Sequence, residues 1–108
     1  MGDRKEEIVI AVISGQPIEA GHLDEFEVLL ASEEDEFIKE HAAITMASGL
    51  LIRKFDLPRA ERLCRNLIDT QHRAEILGLL GNIRLAQGDV AGAKALHEQA
   101  ALLQPGRT

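Results

Sequence analysis

The stretch Ala74–Pro105, AEILGLLGNIRLAQGDVAGAKALHEQAALLQP, constrains this chain most, because it fits little except two short amphipathic helices joined by a tight turn. Leu77, Leu80, Ile83 and Leu85 return at the spacing of one helix face. At Gln87-Gly88-Asp89 the pattern breaks. Gly88 can take the left-handed backbone conformation that closes the first helix, and Asp89 can cap the second. Val90, Ala93, Leu96, Ala100 and Leu103 form one stripe of that second helix, and Pro105 ends it.

These residues resemble the tetratricopeptide repeat. The resemblance rests on Leu77, Leu80 and Gly81 in the first helix, Gly88-Asp89 at the turn, Ala93 and Ala100 in the second helix, and Pro105. Gly81, Ala93 and Ala100 are small where two helices approach closely. Arg84 and His97 depart from the pattern, standing where the family has a large aromatic residue.

The same pattern recurs upstream. Phe37 to Lys54 predicts a long helix, and Asp56-Leu57-Pro58 supplies an N-cap followed by a first-turn proline. Ala60, Leu63, Cys64, Leu67 and Ile68 line the helix after it. Shifting residues 44–71 by 33 places Ser48 on Gly81, Asp56 on Asp89 and Ala60 on Ala93. Phe55 replaces the turn glycine and Leu67 the second alanine, so this repeat is looser. Residues 5–31 read as a degenerate terminal repeat: an apolar helix through Ser14, a stop at Gly15-Gln16-Pro17, and a helix from about Leu23 to Ala31. The expected fold is therefore all-α, with antiparallel helix pairs stacked as about three tetratricopeptide-like repeats (5–31, 37–72 and 74–105) in a single domain spanning residues 1–108.

Composition agrees. Aromatic residues make up 3% of the chain, with no Trp or Tyr, so the core is built from aliphatic residues and Ala, which suits close-packed helices. The lone Cys64 reads as a small apolar interface residue and points to a reducing, cytoplasmic setting. The net charge of −6 argues against nucleic acid as the partner. Residues 1–40 hold twelve acids against three bases, or −9, and residues 41–108 hold six against nine, or +3. The acidic link Ser32–Glu36 reads as a solvated turn favoured by the start of the next helix. The apolar run Ile8–Ile13 is six residues long, well below the roughly 20 that a membrane span needs.

No catalytic constellation emerges. His22, His41, His72 and His97 lack metal-ligand spacing, Gly78, Gly81 and Gly88 do not form a phosphate loop, and Ser14-Gly15 and Ser48-Gly49 lack the context of a nucleophile elbow. The reading is of a protein without catalysis, cofactor or metal.

The family resemblance implies a concave groove lined by the inner helices. Its candidates here are Ala11, Gly15 and Ile18 in the first repeat, Thr45, Gly49 and Ile52 in the second, and Gly78, Asn82 and Leu85 in the third. Small residues on the floor with an aliphatic one toward each edge suit an amphipathic helix of a small partner protein. The alternative is that the small residues serve helix packing alone. Chain size, acidic balance and an irregular first pair are also similar to the small tetratricopeptide-like chaperones of bacterial type III secretion, which hold a needle subunit. A contrasting reading is a scaffold that self-associates through an uncapped end at Leu96, Leu102 and Leu103, giving a homo- or hetero-oligomer.

Overall fold

A computed structural model describes residues 3–103. Their regular structure is α1 (Arg4–Ile13), α2 (Ala20–Ala31), α3 (Glu36–Arg53), α4 (Leu57–Arg65), α5 (Arg73–Ala86) and α6 (Val90–Leu102). The fold is all-α, with no strand among the described residues. Pro105, the expected stop of the last helix, lies outside them.

Acidic caps open three of the helices. The Asp3 carboxylate accepts from Lys5 N (2.8 Å), Asp35 from Phe37 N (3.0 Å) and Ile38 N (3.2 Å), and Asp89 from Gly92 N (2.9 Å). The second helix begins at Ala20, earlier than its apolar residues indicate. Glu19 N donates to His22 Nδ1 (3.1 Å), so a histidine takes up a backbone donor at that helix start.

The turns into α4 and α6 solve one problem by different means. Gly88 has φ +88° before α6. Before α4, where the sequence has Phe55 in that place, Lys54 (φ 53°) and Asp56 (φ 49°) both adopt the left-handed region. Asp56 occupies the expected cap position without capping, its carboxylate accepting instead from Arg59 Nε at 2.8 Å. Helix α4 is shorter than its apolar spacing predicts. It ends at Arg65, leaving Leu67 and Ile68 in a turn where Thr70 Oγ1 donates to Leu67 O (2.7 Å) and accepts from His72 N (3.2 Å). Local side-chain bonds of this kind compete with helix continuation. Leu67 stays buried all the same.

Each helix packs on its successor, and α1, α3 and α5 also pack in series; α2 and α4 make no close backbone approach to each other. Arg4 bonds Glu25 (2.7 Å) across the first pair, and Asn82 bonds His97 (3.0 Å) across the last. The described residues extend 44 × 30 × 20 Å around one aliphatic core. Phe26, Leu23, Met46, Leu50, Ile76 and Leu80 are its largest enclosed side chains. Phe26 is the bulkiest of them.

Charge joins what the backbones do not. Arg59 on α4 is only 8% exposed, and donates to Asp24 Oδ1 (2.8 Å) and Glu27 Oε2 (3.0 Å) on α2 as well as to Asp56. Arg62 also donates to Glu27 (2.8 Å). Burial alone opposes the charge on Arg59, but these acids more than offset it and raise its pKa. The charge asymmetry between the two ends of the chain is thus partly internal: acids of α2 hold bases of α4. Arg84 and His97 make polar bridges between helices. Arg84 reaches Glu61 (2.7 Å), and the His97 ring lies over Gly81, where a Cβ would overlap it.

Candidate protein-docking surface

Helix α1 reaches α3 closely because Gly49 has no side chain. A Cβ there would lie 2.8 Å from Val12 Cγ1 and 3.2 Å from Ile13 Cγ2. The close approach buries Val12 and leaves Ile13 at the lip of a depression of about 350 Å³. Gly15, Thr45, Gly49 and Ile52, four of the nine groove candidates, line it together. Ile52 is 81% exposed and Ile13 57%, so two aliphatic side chains flank a floor of small residues.

The polar groups of this depression are few. Thr45 Oγ1 donates to His41 O (2.9 Å). Arg53 brings the only ionisable side chain of the lining, near the C-terminal end of α1, where its Nη1 donates to Val12 O at 3.4 Å. Its guanidinium also stands 6.0 Å from the Phe55 ring centroid. Among the described residues Arg53 has no carboxylate within ion-pair distance. The surface is thus apolar with one cationic edge.

The other five candidates lie elsewhere. Ala11 and Ile18 line a separate cleft between α1 and α2, beside Pro17 and His22. The reason is that α1 stops at Ile13. Gly15 (φ +75°) and Ile18 belong to the following loop, which folds back so that Ile18 packs on the core. In the third pair, Asn82 Oδ1 pairs with His97 Nε2 on α6, and Leu85 lines a depression with Val90, Lys94 and His97. Gly78 is half-buried, with open space where a Cβ would stand. The nine residues are therefore divided among different places.

At the far end, α6 fully buries only Ala93. Leu102 is 81% exposed and Leu103 is exposed as well, whereas Leu96 is partly buried against the core. Ile13 and Arg53 were not among the sequence candidates. A signal for Ile13 existed: Ile8–Ile13 is apolar almost throughout, more than one buried helix face requires.

Among the described residues no helix is long and apolar enough to cross a membrane, and no three His, Cys, Asp or Glu side chains converge as metal ligands would. Comparison with protein-family models, with curated proteins and with solved structures finds no match to this chain. The described residues define an all-α class, six helices in sequential contact.

Proposed function

We propose that this chain is a non-catalytic protein-binding module, an adaptor or chaperone that holds an amphipathic helix of a small partner against the α1/α3 surface. The observation that carries this reading is the exposure of Ile13 and Ile52 on either side of Gly49 and Thr45. An aliphatic side chain seated between them, with an acidic neighbour toward Arg53, is the partner chemistry this surface suits. The order of helix contacts and the residues of the third pair support a tetratricopeptide-like architecture. A buried, unpaired Cys64 suits a cytoplasmic setting. The finer version, a chaperone of a type III secretion needle subunit, draws on chain size, acidic balance and the irregular first pair.

Affinity capture with the unaltered chain and with Ile52→Glu tests the proposal. The expected result is a helical partner held by the first and lost by the second, with identical far-ultraviolet circular dichroism. Equal capture by both removes the α1/α3 surface from consideration. A second reading, self-association through α6, is favoured by the exposure of Val90 and Leu102. Light scattering that rises with concentration for the unaltered chain and not for Leu102→Glu supports it.

A further inference from the structure

A cavity of about 400 Å³ opens where α2 and α4 diverge over α3, at the gap bridged by Arg59 and Arg62. Its floor is apolar, formed by the buried residues Leu30, Ala43, Leu63 and Leu67. Glu40 lines the same space and is only 9% exposed. Within 4.0 Å of its carboxylate the one basic group among the described residues is His72, whose Nε2 stands 3.9 Å from Oε2, beyond hydrogen-bonding reach. No enclosed side-chain nitrogen or oxygen in the described residues lacks a partner, so the Glu40 carboxylate is not sealed by protein, and Glu40 lines the cavity. Of the other charges there, Glu27 and Arg62 hold each other, while Glu36 is exposed and Lys39 half-buried. With that pair set aside, two carboxylates and one ammonium line the cavity, neither carboxylate within ion-pair distance of the ammonium, and Glu40 is the buried one.

We propose that this cavity binds a small organic cation with an aliphatic stem, an alkylguanidinium or alkylammonium group. Its head meets Glu40, and its stem lies on Leu63 and Leu67. A carboxylate in an apolar surround without a counter-charge is unfavourable, and a bound cation replaces weak solvation with charge-assisted hydrogen bonds. The volume lies within the range of roughly 300–1,000 Å³ common to small-ligand sites. The group comes either as a free small molecule or as an arginine or lysine side chain of another protein. This site shares no lining residue with the α1/α3 depression, so the two proposals stand or fall separately.

Amide chemical shifts of the full ¹⁵N-labelled chain, titrated with n-butylguanidinium chloride, test it. Saturable shifts at Asn66 and Thr70 are expected, with n-butanol as the uncharged control binding more weakly. Glu40→Gln is expected to weaken binding about tenfold and Lys39→Gln, which removes a like charge, to strengthen it about twofold. N-acetylarginine amide binding as well as n-butylguanidinium assigns the site to a protein side chain, and its exclusion assigns it to a free cation. Absence of saturation, equal affinity for n-butanol, or unchanged affinity in Glu40→Gln overturns the proposal. Should Glu40→Gln fail to fold, Lys39→Gln decides, and no gain in affinity then counts against it.

Discussion

Arg59 Nη2 stands 2.8 Å from Asp24 Oδ1, although 35 positions of chain separate the two residues. With Glu27 and Asp56 completing its partners, this guanidinium, with Arg62 beside it, ties the first helix pair to the second where the α2 and α4 backbones do not approach closely. Removing it leaves several acids facing one another in a partly buried place. Arg59→Ala is therefore expected to lower the unfolding free energy by about 3 kcal/mol, read from urea unfolding. Arg59→Lys recovers only part of that, because an ammonium cannot reproduce a planar fork shared among three carboxylates. Asp24→Asn, at an exposed carboxylate, changes stability by less than about 1 kcal/mol.

Two helical glycines predict opposite signs. Gly49→Ala drives a methyl group into Val12 and forces α1 away from α3, at a cost of about 1–3 kcal/mol. Gly78→Ala meets nothing within 4 Å and gains about 0.5–1 kcal/mol from helix propensity. Thermal unfolding of the two variants beside the parent checks both.

Lys5, buried at the base of α1, bonds Asp3 and Glu33 at 2.8 and 2.9 Å. Chiefly through those hydrogen bonds it holds both carboxyls below their ordinary values of 3.8 and 4.5. A carboxyl depressed in the folded state takes up its proton less readily than in the unfolded chain. Its contribution is therefore complete above the unfolded value and is lost as pH falls through the folded one. Glu33→Gln is expected to lower the urea midpoint at neutral pH. The difference from the parent should close as the pH falls below 4.5 and through the lower folded value of Glu33.

Burial pushes the Cys64 thiol up to about 12, with Glu61 adding to the rise. The folded chain is expected to resist alkylation by iodoacetamide at about pH 8, where so little thiolate is present, and to react promptly in urea. Prompt labelling under native conditions contradicts the buried placement of Cys64.

Much of the secondary structure was legible in the residue order. Helix identity follows from apolar spacing, and Asp35, Gly88 and Asp89 mark ends by local chemistry that needs no tertiary partner. The misjudged ends fail for identifiable reasons. His22 caps α2 with a ring that carries no strong cap signature, and Thr70 diverts the chain after α4 while Leu67 keeps its apolar place in the core. The proposed groove was legible only in part. Its first-repeat positions were carried over one by one from the family pattern, although the stop at Gly15-Gln16-Pro17 puts Ile18 in the loop after α1.

The sequence by itself determined the all-α class, the number of helices and the aliphatic character of the core, because these depend on periodicity and composition along the chain. Tertiary structure alone decided which small residues touch a neighbour and which face open space. Gly49 and Gly78 look alike in the sequence, yet one lies against Val12 and the other against nothing. It also decided what the acids of the first forty residues do. Asp24 and Glu27 read as surface charge until α4 brings Arg59 beside them. Contacts across 30 or more positions arise from how whole helices settle on one another, and no local pattern encodes that distance.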